Sequence, residues 1–514
     1  MNLDARPDLV SPIRSWARRD PTAPAISCGD ETISRGELDR RSDALAAELA
    51  RRGIAAGDRV GIIGGIGLGW CYSALGVLKL GATIVPMTER LSATEIAAML
   101  GRVDATAVLV DAERQPIVEA ATAAAPQRWK LVPFSELLDA PVPDAPFEHA
   151  ARGDQLAVIA FTSGSTGLPK GSLMSHGAMM NAQFEYVLQE PHALRARALD
   201  VVSLAYLGGL LNSFLGPLIG GGSVVLLPKW DPRRALELIE RERITAISGT
   251  TIFYEQMAEE PSFASADLSS LTLAIAGGNP VTRSLLEVWA DKGVTLRQAY
   301  GLTEGCSLAS LPSVELARSR PEVAGQGGIL RRVRVVSDDG EDCQPGEPGQ
   351  IVIEGPGIAA GYLDDPETTA VEFAGGRLHT GDVGTIDADG GLRVVGRTKD
   401  VIISGGINIY AAELERVIGE LPGVVEVAVI GVADEQYGET PAALVVTSEP
   451  VDAVDVVDHC RSRLATYKTP RYVEFLDRQL PRSPLGKLAK DSLRVEFADL
   501  PERGRRLDGS STRS

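Results

Sequence analysis

Residues 161–172 read Phe-Thr-Ser-Gly-Ser-Thr-Gly-Leu-Pro-Lys-Gly-Ser. Thr162, Ser163, Ser165 and Thr166 place four hydroxyls within five residues, and Lys170 adds a cation. Gly164 and Gly167 have no side chain to cover the backbone N–H groups, so this loop can wrap a polyphosphate. An apolar run over 156–161 precedes it and reads as a buried parallel strand. Gly/Ser/Thr clusters are ordinarily plain turns; here the preceding strand and the following Pro-Lys argue for more. The loop is not a Walker A motif, because Leu168 and Pro169 separate Gly167 from Lys170. It also lacks the Gly-x-Ser-x-Gly elbow of a serine hydrolase.

Outward from this loop, short β-branched or apolar runs alternate with Ala/Leu/Arg/Glu-rich helical stretches from residue 21 to about 390. The runs include 59–63, 83–85, 107–110, 223–227, 245–248 and 272–276, and 231–242 reads as an amphipathic helix. That alternation predicts α/β layers built on parallel sheets. Around 329–354 the pattern becomes strand–turn–strand, with turns at Asp338-Asp339-Gly340 and Gln344-Pro345-Gly346, which predicts a small antiparallel or barrel-like subdomain. A further change near 397–400 opens a small α+β unit: strand 401–403, a Gly turn, helix 411–421, strands 424–432 and 441–446, helix 454–464 and strand 472–475. The expected organisation is an N-terminal domain over 1–397, a C-terminal domain over 398–500 and a disordered tail over 501–514.

At 514 residues the chain is too long for a single core. Its formal net charge of −18 repels nucleic-acid backbones and anionic membrane surfaces, so neither is an expected partner. A polyanionic ligand must then be held by local N–H groups, cations and metal. The five cysteines, at 28, 71, 306, 343 and 460, show neither metal-ligand spacing nor a disulfide framework, which suits a reducing cytoplasm. The histidines are scattered as well, and the first residues do not read as a secretory signal. Residues 60–78 carry no charge and are long enough to span a bilayer. Six glycines and Lys79 argue instead for strand 59–63, a Gly-rich turn and a buried helix from about Trp70. Gly65-x-Gly67 begins a dinucleotide fingerprint, but Trp70 stands where its third glycine belongs.

Other polar islands follow strands. Tyr300-Gly301-Leu302-Thr303-Glu304 joins a flat aromatic face, suited to a purine, to a lone carboxylate suited to a Mg²⁺ that bridges phosphates. Ala276-Gly277-Gly278-Asn279-Pro280 lets a planar ring approach the backbone. Asp382, after Thr380-Gly381, and Arg397, after Gly396, suit the two hydroxyls of a ribose. Ser404-Gly405-Gly406 suits either a narrow channel or a turn, and Lys487 after Gly486 is a cation able to reach into a cleft. Taken singly, each has a plainer reading as a turn, a surface pair or a solvated lysine.

Together and in this order, the islands resemble the adenylate-forming superfamily of acyl-CoA synthetases, peptide-synthetase adenylation domains and luciferases. The resemblance runs from about residue 10 to 495 and joins five motifs, at 162–170, 300–304, 380–382, 396–415 and 486–487. It implies a large N-terminal domain, a small mobile C-terminal lid, and an AMP-forming carboxylic acid–CoA ligase that uses ATP, Mg²⁺ and CoA. A carboxylate attacks the α-phosphate of ATP and releases diphosphate; a thiol then attacks the acyl-AMP. The resemblance implies Lys487, Glu304 and Thr166 as catalytic residues, with Glu304 holding the metal. Thr162, Ser163, Gly164, Ser165, Thr166, Gly167 and Lys170 would form the phosphate loop. Gly277, Gly278, Asn279, Tyr300, Gly301, Leu302 and Thr303 would flank the base, and Asp382 with Arg397 would hold the ribose. Lys399 takes the hinge position, and Ser404, Gly405, Gly406, Lys468 and Arg471 the CoA side. Two departures stand out: Tyr206 where the family usually has His, and Ala411 where the lid motif usually has Pro.

The resemblance puts the acyl pocket among Tyr206, Gly209, Asn212, Gly249, Thr250, Thr251, Gly277, Gly301 and Cys306. None of these is an Asp for an α-ammonium or a cation for a second carboxylate, so a fatty, cyclic or aromatic monocarboxylate is expected. The short span from Gly381 to Arg397 has no room for the insertion of fatty-acyl-AMP ligases, and Gly405-Gly406 favours CoA as the thiol. The alternatives are delivery to a carrier-protein phosphopantetheine and, below that, a non-catalytic nucleotide-binding protein on this fold. A homodimer is left open.

Overall fold

The computed structural model describes residues 7–124, 129–162, 170–278, 281–482 and 488–507. They form two compact units. One runs to Arg334 and includes Val352–Thr380; the other takes Val335–Ile351 and the chain from Gly381 onward. The composition change at 397 therefore lies inside the second unit. The reason is local: Asp382 to Ile386 pair antiparallel with Leu392 to Arg397, and a boundary at 397 would cut this hairpin from the strands that follow it.

The first unit holds two large sheets. In the first, the strand order is Ser307–Ser310, Leu296–Leu302, Leu273–Gly277, Ala246–Thr250, Arg197–Asp200, Ser223–Leu226, Pro24–Cys28, Glu31–Ser34. In the second it is Lys130–Pro133, Ala107–Val110, Arg59–Ile63, Thr83–Met87, Leu156–Thr162, Lys170–Ser175. Continuous burial of Ala-Val-Leu-Val at Ala107–Val110 is what a parallel strand covered on both faces requires. Helices fill the connections. Asp231 caps the helix Pro232–Arg241 by accepting from the Arg234 amide, and the proline at its first position costs no hydrogen bond.

The uncharged stretch at 60–78 resolves into strand Arg59–Ile63 and helix Leu68–Leu80, which is buried over most of its length. Gly81, at φ +76°, ends that helix in the left-handed conformation. A Cβ added to Gly76 would stand 2.7 Å from Leu45 Cβ, so Gly76→Ala would force this helix off helix Arg35–Arg51. Lys79 is buried against Asp39 and Asp43, each at 2.6 Å. Among the described residues, no helix is long and apolar enough to cross a membrane.

The strand before the phosphate loop is parallel on one edge and antiparallel on the other. Val158 pairs with Ile84 of Thr83–Met87, while Thr162 lies directly opposite Lys170 of Lys170–Ser175. The loop thus returns into a strand, and helix His176–Gln189 starts only afterwards. Lys-Gly-Ser-Leu-Met-Ser carries no β-branched residue, so this strand has no propensity signal of its own.

The second unit is α+β. Its five-stranded sheet contains Ile407–Tyr410, Val401–Ser404, Gly438–Thr447, Val424–Asp434 and Tyr472–Leu476. Helices Ala411–Gly419 and Ala453–Arg461 cover one face through Leu414, Val417 and Val456 on Val429 and Val445. Leu480, Leu493, Phe497 and Leu500 cover the other. Residues 501–507 are a correction to the expected tail. Leu500–Arg503 is helical, Leu507 is buried, and Arg506 pairs with Asp434 at 3.1 Å. Two anchors, one apolar and one ionic, outweigh the polar composition there. Residues 508–514 lie outside the described residues.

Candidate active site

Ser163, Gly164, Ser165, Thr166, Gly167, Asn279 and Lys487 lie outside the described residues. The residues that frame the phosphate loop are described, and they converge on Glu304. The Thr162 hydroxyl donates to Glu304 Oε1 at 3.1 Å. The Tyr362 hydroxyl lies 3.2 Å from the same oxygen and 2.5 Å from Glu372 Oε2. A phenol has one proton, so the shorter contact to Glu372 takes it, and Thr162 remains the donor to Glu304 Oε1 among the described residues. Burial, and then the charges of Glu304 and Glu372, push the Tyr362 phenol far above its ordinary range, so it remains protonated. Lys170 is paired with Glu372. Its ammonium sits 3.0 Å from Glu372 Oε1 and 4.9 Å from the centre of the Tyr362 ring.

Glu304 projects from a short turn, Thr303–Gly305, at the end of strand Leu296–Leu302. Its backbone carbonyl accepts from the Ala359 amide at 2.7 Å. Tyr300 is buried and pairs with Ser310 across the sheet. Gly301 admits no substitute, because a Cβ there would stand 2.0 Å from the Ser307 carbonyl oxygen. Leu302 pairs with Ser307. Thr250 lies opposite Gly277, and Gly277 opposite Ala299, so Gly249, Thr250, Gly277, Gly278 and Tyr300 gather at the carboxyl ends of three adjacent parallel strands. Ligands bind at such ends in open α/β sheets.

The candidate acyl wall is drawn from several elements. Gly209 and Asn212 lie on Gly208–Leu215, wound as a π-helix just after Tyr206. A Cβ on Gly209 would meet the Ser203 carbonyl oxygen at 2.4 Å, and Asn212 donates to the Ser307 hydroxyl. Thr251 is buried at the start of helix Thr251–Glu259. Cys306 is fully buried in the main core, and burial pushes its thiol up to about 12, which removes it as a nucleophile near neutral pH.

In the second unit, Asp382 and Arg397 face each other across the hairpin and pair at 3.1 Å. Gly405 and Gly406, at φ +59° and +80°, form the two-residue turn between Val401–Ser404 and Ile407–Tyr410, a geometry that favours glycine at both places. The Gly405 amide donates to the Tyr437 carbonyl at 2.8 Å. Ser404 is buried at the base of this turn. Lys399 pairs with Asp491 at 3.2 Å. Lys468 and Arg471 are both engaged within their own unit, with Glu413 at 2.6 Å and Asp434 at 3.4 Å, and Arg471 also stacks 3.9 Å from the centre of the Tyr437 ring.

The profile of the AMP-binding enzyme family matches residues 13–363, and that of the AMP-binding enzyme C-terminal domain matches residues 413–487. The chain belongs to the AMP-binding enzyme family. It is an adenylate-forming enzyme of the acyl-CoA synthetase kind. It is 37% identical to a feruloyl-CoA synthase of an Amycolatopsis species, over 95% of this chain and 98% of that protein. It is 35% identical to the indoleacetate–CoA ligase of Aromatoleum aromaticum, with the same two coverages of 95% and 98%. The o-succinylbenzoate CoA synthetase from Bacillus subtilis, solved with its acyl-adenylate intermediate, superposes with a TM-score of 0.87 at 29% identity, covering 96% of this chain and 98% of that one.

Within this acyl-CoA synthetase, Tyr362 and Glu372 are the site residues that sequence reasoning missed. Tyr362 follows Gly361 in an unremarkable Gly-Tyr-Leu, and Glu372 lies on a short polar helix, Pro366–Glu372. Nothing local marks either; only the tertiary pairing with residues near 170 and 304 does. Among the described residues, no group of three or more His, Cys, Asp or Glu side chains forms a metal cage. A lone carboxylate such as Glu304, held by the hydroxyl of Thr162, instead fits a Mg²⁺ that takes most of its ligands from phosphate and water.

Proposed function

We propose that this enzyme joins an aromatic monocarboxylate to coenzyme A in two steps, through an acyl-adenylate, with release of diphosphate and then AMP. The observation that carries this reading is Glu304, whose carboxylate accepts from the hydroxyl of Thr162, the residue that leads into the phosphate loop. In the first step two anions must meet, so the site has to supply positive charge where negative charge accumulates. Mg²⁺, when bound at Glu304, would offset the charge of the phosphates. Thr162 through Gly167 would cradle the β- and γ-phosphates, Gly277, Gly278, Asn279 and Tyr300 would flank adenine, and Asp382 with Arg397 would hold the ribose. Lys487 would bridge the carboxylate and α-phosphate oxygens. Lys170, tied to Glu372, would fix the far end of the loop rather than follow the phosphates.

For the second step, the lid would turn about Lys399 and bring Ser404, Gly405 and Gly406 to the thiol channel, with Lys468 and Arg471 toward the CoA phosphates once their carboxylate partners let go. Relatives named as CoA ligases favour CoA over a carrier protein. Relatives named feruloyl-CoA synthase and indoleacetate–CoA ligase support an aryl acid, while one named long-chain-fatty-acid–CoA ligase, 33% identical, keeps a fatty acid as the second reading. Five unpaired cysteines support a reducing, cytoplasmic setting.

The test is a panel of aryl, cyclic and fatty acids with ATP, Mg²⁺ and CoA, read by AMP release and thioester mass. Replacing CoA by a phosphopantetheinylated carrier protein separates the two acceptors. Lys487→Ala should abolish pyrophosphate exchange yet still convert supplied acyl-AMP to thioester; unchanged exchange would refute the role given to Lys487.

A further inference from the structure

The turn that carries Glu304 is held in an unfavourable backbone conformation. Cys306 has φ +49° and Ser307 φ +89°, two consecutive residues with side chains in the left-handed region. Such a conformation persists only where the surroundings impose it. Arg331 lies against this turn with 1% of its surface exposed. One guanidinium nitrogen donates to the Gly305 carbonyl at 2.8 Å and to the Gly357 carbonyl at 3.3 Å. The other donates to the Leu308 carbonyl. Gly305 and Leu308 bracket the two strained residues. Gly357 belongs to the segment whose Ala359 amide donates to the Glu304 carbonyl at 2.7 Å. One side chain therefore joins the two backbone segments that meet at Glu304.

Arg331 is itself seated by a buried carboxylate. Glu185, on helix His176–Gln189 and fully buried, accepts from the amides of Ile329 at 2.6 Å, Leu330 at 2.6 Å and Arg331 at 3.0 Å. Gly328 permits the approach, since a Cβ there would stand 2.8 Å from both the Glu185 carboxyl carbon and the Arg331 carbonyl oxygen. A guanidinium buried this deeply is a costly way to fill space, and an apolar side chain of similar length would do that alone. What the arginine offers is a rigid fork that reaches several carbonyls at fixed angles.

We propose that Arg331, seated by Glu185, is a positioning residue for the adenylation half-reaction: it fixes the Gly305–Leu308 turn and with it the Glu304 carboxylate. This rests on the role proposed above for Glu304. The test uses the full-length chain and three readouts: pyrophosphate exchange, thioester formation from supplied acyl-AMP and CoA, and retention of Mn²⁺ in the presence of ATP, followed by electron paramagnetic resonance. Arg331→Met should lower exchange about 10- to 100-fold, as expected for a small misplacement of a reacting group. It should weaken Mn²⁺ retention and leave thioester formation within about twofold, a margin well under the tenfold that 1.4 kcal/mol represents. Arg331→Lys keeps the charge but not the fork, and should show the same split at about threefold in exchange. Equal loss in both half-reactions for either variant, or exchange within about twofold of the parent for Arg331→Met, overturns the proposal. Glu304→Gln serves as the control on the underlying reading. If it leaves exchange and Mn²⁺ retention unchanged, the role of Glu304 fails; if it lowers both while Arg331→Met lowers neither, the positioning role alone fails.

Discussion

The polar groups around Glu304 and the Lys399 and Arg397 pairs of the C-terminal unit are held by different means. Glu304 is met by the hydroxyls of Thr162 and Tyr362, and next to it Glu372 meets a lysine with 15% side-chain exposure, all within one compact unit. In the C-terminal unit, Lys399 and Asp491 pair with side chains 43% and 61% exposed, and Arg397 meets Asp382 with 46% of its own side chain in solvent. A half-buried network tied to a folded turn has its cost met during folding and presents charge in a fixed place. Exposed ion pairs contribute little and exchange with water at little cost. The first arrangement suits chemistry that needs preorganised charge. The second suits a lid that must change partners between two half-reactions.

The largest test of that contrast is Glu304→Gln. Pyrophosphate exchange should fall about 10²- to 10³-fold, the loss typical of one preorganised electrostatic group, with thioester formation from supplied acyl-AMP near the parent rate. A fall of less than about tenfold would mean that the network around Glu304 does not carry the first step. Gly405→Trp should give the mirror image. Its φ of +59° and the Tyr437 ring 3.0 Å from the new Cβ leave no room for a side chain, so thioester formation should drop at least about 10²-fold while exchange persists. Survival of both steps would remove the Gly405-Gly406 turn from the thiol channel.

A smaller effect is expected one contact further out. Tyr362→Phe removes the donor to Glu372 and should lower exchange about tenfold, the worth of one hydrogen bond to a charged group. Lys170 keeps Glu372 partly satisfied, which is why the loss should stop there. Single-turnover adenylation separates this from slow product release. A loss as deep as that of Glu304→Gln would make Tyr362, rather than Glu304, the group on which the site turns.

The contrast also explains what the sequence could reveal. Buried parallel strands such as Ala107–Val110 announce themselves by apolar runs, and most C-terminal elements were legible to within about three residues at their ends because β-branched strands alternate there with polar turns, while helix Lys490–Glu496 was not. Lys170–Ser175 and Ile407–Tyr410 escaped: the first has no β-branched residue, and the second is short and follows a glycine turn that reads equally well as a loop. At the site, Thr162 and Glu304 were legible because Gly, Ser and Thr cluster beside them. Tyr362 acts 58 residues from Glu304, and Glu372 acts 202 residues from Lys170, so neither leaves a mark on its own neighbourhood. Arg331 is legible only in three dimensions, since its acceptors are backbone carbonyls and these have no sequence signature.

The smallest expected effect bears on the exposed side of the contrast. Lys399→Ala removes a pair open to solvent and should shift unfolding by about 0.5 kcal/mol or less, read from the urea midpoint. Lys79→Ala, in the same assay, removes a lysine with 2% side-chain exposure from Asp39 and Asp43 and should cost about 1.5–3 kcal/mol, because the two carboxylates lose one of the two cations they share and keep only Arg14. Raising the salt from 0.1 M to 1 M shortens the screening length from about 10 Å to about 3 Å, so it should erase the first difference and leave most of the second. If Lys399→Ala instead cost about 2 kcal/mol or more and resisted salt, the Lys399–Asp491 pair would be a structural lock, and a hinge at Lys399 would have to break it on every turnover.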